Sequence, residues 1–174
     1  MTGHTEVVRT RRTFTLLCFL VALGAAPAEA GAPGDGTLSV RDARGLVQLS
    51  SRGTMIGRIE RGKLTVTDPN PHDNRRPIVL GAEKRVTSRN LKTTIYTGKD
   101  IRVRITSGLA HVRFEGRGIH LSAVGRGSGL VDGAGDPTTG VFFDGVWSLN
   151  DEDYHSLPDE LERFDLVGLP PEKV

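Results

Sequence analysis

Apolar residues in this chain recur at every second position far more clearly than at every third or fourth. The plainest case is residues 100–106, DIRVRIT, where Ile101, Val103 and Ile105 alternate with Arg102 and Arg104. Strict alternation sends successive side chains to opposite faces of a strand, so the aliphatics are expected inward and the arginines outward. Residues 109–114 resume the pattern after Ser107-Gly108, which reads as a hairpin turn. Residues 37–40 open the β pattern, and residues 78–80 form a short candidate for a buried strand. Between them, DPNPHDNRR at residues 68–76 is rich in proline, asparagine and aspartate, and reads as a loop. Asp144-Gly145 stands between a Phe-Phe and a Val-Trp pair, which signals a two-residue hairpin. Only the last stretch looks helical. Pro158-Asp159-Glu160 open a segment with Leu161 and Phe164 three apart, ending before Gly168. Acidic residues in a first turn suit the positive end of a helix dipole.

The pattern also repeats. Residues 47–66, VQLSSRGTMIGRIERGKLTV, align without a gap on residues 112–131, VRFEGRGIHLSAVGRGSGLV. Six of the twenty positions are identical: the valines at both ends and two Arg-Gly pairs in each copy. The spacing predicts an internally duplicated unit of strand, glycine turn, bulged strand, glycine turn and strand. Ile56 and Ile59 sit three apart, and a β-bulge would bring both to one face. The fold class expected is therefore all-β: a β-sandwich built on this duplicated unit, with a short C-terminal helix. A β-solenoid is the alternative, although no hexapeptide period is sustained. Arg52, Arg61, Arg117 and Arg126 each precede a glycine. They would stand at turns, either as guanidinium groups for carboxylate or phosphate or as stems covering apolar surface at a sheet end.

The beginning of the chain changes the compartment expected. Arg9, Arg11 and Arg12 precede an apolar run at residues 14–26, and Ala28-Glu29-Ala30 fits a small-x-small cleavage site. Residues 1–30 thus read as a signal peptide, because the run is shorter than the roughly 20 residues of a spanning helix. Residues 31–36 read as a flexible leader, 37–157 as the β domain, and 158–174 as an acidic C-terminal tail with the short helix. Cleavage would remove Cys18, the single cysteine, and with it any disulfide or thiolate chemistry. Charge divides along the mature chain. Residues 31–130 carry 18 Lys+Arg against 8 Asp+Glu, while residues 131–174 carry 2 against 11. A basic body of this kind suggests an anionic partner, or a tail lying across its own body.

Residues 116–127, GRGIHLSAVGRG, are followed by Gly140 and then by WSLNDEDYHSLP at residues 147–158. This arrangement resembles an uncharacterised family of short exported actinobacterial proteins, marked by a GRGxxLSAVGRG core and a later SLxxxxYxxLP segment. The resemblance spans about residues 47–158. It implies a shared fold and export, and it brings no catalytic residues. Where relatives tend to place glycine in the turn after Ser148-Leu149, this chain has Asp151, Glu152 and Asp153.

Signatures of chemistry are missing. There is no G-x-S-x-G elbow, no P-loop, no H-E-x-x-H and no complete G-x-G-x-x-G. His72, His111, His120 and His155 are scattered; His111 and His120 would form half a metal site only if their strands paired. Asp132, Asp136 and Asp144, and separately Asp151, Glu152 and Asp153, offer oxygen donors but no EF-hand spacing. No catalytic residue, metal ligand or cofactor is assigned. The binding candidates are Arg52, Arg61, Arg117, Arg126, Arg102 and Arg104. The function expected is a non-enzymatic, envelope-associated module at the extracellular face, contacting anionic cell-wall glycopolymer or lipid headgroups. A protein self-associating through sheet edges and a secreted hydrolase or lyase on an acidic glycan are the alternatives. Nucleic acid is disfavoured, since Phe114 and Tyr96 alone supply aromatic rings to the basic body and export removes the usual target.

Overall fold

The computed structural model describes residues 34–72, 76–135 and 144–168. Seven strands form in chain order: β1 Gly36–Thr67, β2 Ile78–Thr87, β3 Thr93–Ile105, β4 Leu109–Gly133, β5 Val146–Leu149, β6 His155–Ser156 and β7 Glu162–Leu166. They make one open antiparallel sheet in the order β2-β3-β1-β4-β7, with β5 on β1 and β6 on β5. The chain is all-β, and no helix forms among the described residues, so none there is long and apolar enough to cross a membrane.

β1 has 32 residues and β4 has 25, several times the usual strand length. The register explains how such strands stay compact. Leu46 pairs with Glu115 on one side and with Asp132 on the other; Leu49 likewise pairs with Val112 and Gly129. β4 therefore flanks β1 twice, in two registers displaced by seventeen residues. A two-stranded ribbon can pair with itself in this way only by coiling through a full turn over that length. The buried faces of the coil then share one core. Met55, Ile59 and Leu64 of β1 meet Ile101 and Val103 of β3 and Phe114, Ile119 and Leu121 of β4. Trp147 and Phe164, with ring centroids 5.4 Å apart, close it beside β7. Each fully buried side chain of this size contributes about 1.5–3 kcal/mol.

Glycines set the bends. Gly62 pairs with Gly98 of β3 and with Gly116 of β4, and Gly116 pairs in turn with Gly45. In a second row Gly53 pairs with Gly125, which pairs with Gly36. A Cβ on Gly62 would strike the Glu115 carbonyl and the Gly116 Cα, and one on Gly116 would strike the Arg61 carbonyl and the Gly62 Cα. The same reciprocal collision joins Gly53 and Gly125. The nine-residue interval between Arg-Gly pairs is thus the distance from one bend to the next. In β1 the bends fall on the glycines of the Arg-Gly pairs, the bracket glycines Gly53 and Gly62. In β4 they fall on Gly116 and Gly125, beside the bracket glycines Gly118 and Gly127.

Several expectations need correction. The two layers of a sandwich are replaced by a single sheet, because the long strands carry their hydrogen bonds through the bends. The bulge after Gly53 does not form. Met55, Gly57 and Ile59 are buried in strict alternation, which leaves Ile56 56% exposed, whereas Leu121 at the aligned position is 2% exposed. A one-residue difference in phase reverses a side chain's face, so the two copies are not equivalent in burial. Ser107-Gly108 does not make a hairpin: β3 and β4 both pair with β1, and the Gly53 N–H donates to the Gly108 carbonyl. Residues 78–80 begin the exposed edge strand β2 rather than a buried strand. The C-terminal helix is a strand. Phe164 and Leu166 are buried while Glu162, Arg163 and Asp165 are exposed, a period of two that fits the free edge of β4 at Gly127–Val131. So short a segment cannot sustain a helix on its own hydrogen bonds. Of the hairpin expected around Asp144-Gly145, residues 141–143 lie outside the described residues, and β5 pairs with β1 and β6.

Gly116→Val should destabilise the domain by about 3 kcal/mol or more, since a branched side chain meets fixed backbone at a crossing. Gly108→Ala has positive φ but open space around it, and should cost only about 1 kcal/mol. Urea unfolding of both variants beside the parent checks the contrast.

Candidate functional site

The six arginines singled out by sequence do not converge on one place. Arg102 and Arg104 do project outward from β3, as alternation requires, and stand opposite Arg58 and Ile56 of β1 and Leu80 and Ile78 of β2. The bracket arginines meet instead as two cross-strand pairs, Arg52 with Arg126 and Arg61 with Arg117. One pair lies at the Gly53–Gly125 bend and the other at the Gly62–Gly116 bend. Arg126 is engaged by Asp35, Nε to Oδ1 at 3.1 Å.

A wide surface concavity lies on the face that carries Arg102 and Arg104. It encloses about 640 Å³ and is lined by five neighbouring segments, among them Ser39 and Arg41, Ile56 and Arg58, Ile78 and Leu80, and His120 and Ser122. Its floor is unusual for an exposed surface, with Ile56 56%, Ile78 55% and Leu80 63% exposed. Its walls are cationic. Asp100 fixes two of the guanidinium groups, accepting from Arg58 Nε at 2.6 Å and from Arg102 Nη2 at 2.9 Å. The hydrogen bond from Arg58, and then that from Arg102, hold the Asp100 carboxyl below its ordinary pKa. One carboxylate against two guanidiniums still leaves a net positive charge. Arg41 lies over the Tyr154 ring at 4.4 Å, and the Tyr154 hydroxyl sits 2.8 Å from Ser39 Oγ. Stacking of this kind holds the guanidinium in place without neutralising it. No side-chain partner holds Arg104 among the described residues.

A second ion-pair cluster sits further along the coil. Glu115 accepts from Arg113 Nη2 at 2.9 Å and lies 2.5 Å from Lys63 Nζ, while Arg113 Nη1 also donates to Gln48 Oε1 at 3.3 Å. The Arg113 hydrogen bond, aided by Lys63, holds the Glu115 carboxyl below its usual value against the opposing effect of burial. This cluster joins three adjacent strand segments.

His111, His120 and Asp144 make local polar contacts. His111 and His120 lie on the same strand, nine positions apart, so they do not build half a metal site together. His111 Nδ1 is 2.7 Å from Ser50 Oγ, and His120 Nδ1 lies 3.5 Å from the Asp42 amide. Asp144 is buried and accepts from the Gly135 N–H at 2.6 Å; Asp136 lies outside the described residues. Among the described residues no group of three His, Cys, Asp or Glu side chains is placed to hold a metal ion.

Sequence reasoning missed Arg41, Arg58, Ile56, Ile78 and Leu80 as surface partners of Arg102 and Arg104. Strict alternation through Met55-Ile56-Gly57-Arg58-Ile59 would have put Ile56 and Arg58 on the outer face together. The place of β2 at the sheet edge, which exposes Ile78 and Leu80, has no local signal.

Because the folded pKa of Glu115 is depressed, its contribution to stability is present above the unfolded value near 4.5 and is lost as pH falls through the folded value. Glu115→Gln should therefore flatten the fall in thermal stability below about pH 4.5, while lowering stability at neutral pH, as read from melting curves across an acid series. No protein-family model, curated protein or solved structure matches the chain.

Proposed function

We propose that the chain is an exported, non-enzymatic β-domain of the cell envelope that binds an anionic lipid surface through its arginine-and-aliphatic face. The observation that carries this reading is the exposure of Ile56, Ile78 and Leu80 in the midst of Arg41, Arg58, Arg102 and Arg104. A headgroup layer meets both halves of such a face. Guanidiniums pair with lipid phosphates, while the aliphatics reach the drier boundary below. Each Arg held near an anionic leaflet adds about 1 kcal/mol. A cell-wall glycopolymer would satisfy the arginines and leave the aliphatics in water, which ranks it second. The leader at residues 1–30 supports export, and the GRGxxLSAVGRG and SLxxxxYxxLP segments support membership of the exported actinobacterial family they resemble. In this reading the duplicated Arg-Gly unit is a bend-making device. A different observation favours self-association: the edge strand β2 leaves one backbone side open and exposes Ile78, Leu80 and Val86.

The sheet and its core lie wholly within Gly31–Val174, so that segment is the one to test. It should co-sediment with phosphatidylglycerol vesicles, less as salt rises, and not with purely zwitterionic vesicles. The Arg102→Gln, Arg104→Gln pair should weaken binding about 30-fold and reduce its salt dependence. Leu80→Ser should weaken it without changing that dependence. Binding to purified cell wall but not to vesicles would transfer the reading to glycopolymer. Salt-independent self-association without either would favour the β2 edge.

A further inference from the structure

The geometry points to a second, discrete site: Arg44, Arg61 and Arg117 form a receptor for a tetrahedral oxyanion of the phosphate type at the Gly45–Gly116–Gly62 bend. Arg61 of β1 and Arg117 of β4 face each other in register, and Arg44 precedes Gly45, which pairs with Gly116 from the other side. Three adjacent segments thus bring three guanidiniums to one concavity of about 420 Å³, completed by Gly45, Gly116 and Ala134. All three arginines are exposed.

Their lack of partners sets them apart. The described ion pairs give carboxylates to Arg58, Arg102, Lys63, Arg113 and Arg126, and none to Arg44, Arg61 or Arg117. Glu60, adjacent to Arg61, packs over Gly118 and makes no ion pair with either neighbouring arginine. Like charges directly opposite one another across a ladder destabilise it, so an arrangement of this kind is relieved by an anion between them. The floor of the site is bare backbone, because the row Gly45, Gly116 and Gly62 carries no side chains to occupy the space between the guanidiniums. One or two arginines suffice to saturate a planar carboxylate. Three forks on adjacent strand segments offer more donors than a carboxylate can take, and match the several oxygens of a phosphate group.

The site uses none of the arginines of the aliphatic face, and soluble phosphate reports on it whether or not the chain binds lipid. The test is a titration of 15N-labelled Gly31–Val174 with inorganic phosphate at low ionic strength, following the arginine Nε–H resonances. The expected result is saturable shifts confined to Arg44, Arg61 and Arg117, half-complete at about 1 mM, with acetate at least tenfold weaker. Arg61→Gln or Arg117→Gln should reduce phosphate affinity about tenfold, while leaving the unliganded melting temperature equal or higher because repulsion is removed. A glycerol phosphodiester oligomer serves as a further arm. Tighter binding than inorganic phosphate assigns the site to a polymer, and equal or weaker binding assigns it to free phosphate. No shifts up to 20 mM, shifts centred on Arg102 and Arg104, or affinity indifferent to the substitutions would each overturn the proposal.

Discussion

At each bend of the β1–β4 ribbon two backbones pass so close that a single added carbon on either would strike the other. Gly62 with Gly116 and Gly53 with Gly125 are the crossings, and the rest of the molecule depends on them. Without them β1 and β4 would be long, nearly straight strands with one solvated face and no means of enclosing the other. With them, the ribbon returns to pair with itself, Leu46 is held on both sides, and the buried faces meet around Phe114. Hydrogen bonding continues through the bends, so the coil needs no disulfide to close it.

The same winding sorts the charges. Alternation sends Arg58 of β1 and Arg102 and Arg104 of β3 outward together, because the two strands pair directly. Asp100 and Glu115 each bind two cations, which organises part of the basic surface. The cation-rich surface is therefore divided into three places with different character. The aliphatic face mixes arginine with exposed Ile56, Ile78 and Leu80. The Gly53–Gly125 bend has Arg126 tied to Asp35. The Gly62–Gly116 bend carries arginines that make no ion pair among the described residues. A surface built this way presents anion-binding groups in distinct geometries instead of one diffuse basic field.

Local pattern and tertiary setting competed most openly at the C-terminus. Leu161 and Phe164, three apart behind an acidic turn, have the spacing of a helix, yet Phe164 and Leu166 have that of a strand. The open edge of β4 decided between them, because its backbone groups at Gly127–Val131 needed partners and a five-residue helix would have had to supply its own stability. Ile56 shows the same competition in a strand. Its spacing from Ile59 suggested a bulge, but Met55 and Gly57 fill the inward positions, and Gly57 is small because the Phe114 ring lies against it.

By itself the sequence determined that the chain is built of strands, that Ile101, Val103 and Ile105 face inward while Arg102 and Arg104 face outward, and that Arg-Gly pairs recur at a nine-residue interval. Those properties follow from side-chain alternation and from glycine's missing Cβ, both of which act within a few residues. Only the tertiary structure decided that the glycines are crossings rather than hairpin turns, that the bracket arginines face each other across strands, and that β2 lies at an edge with its aliphatics exposed. Register between residues 46 and 132 is a contact over a long stretch of chain, fixed by which coil buries the most apolar surface, and no local pattern encodes it.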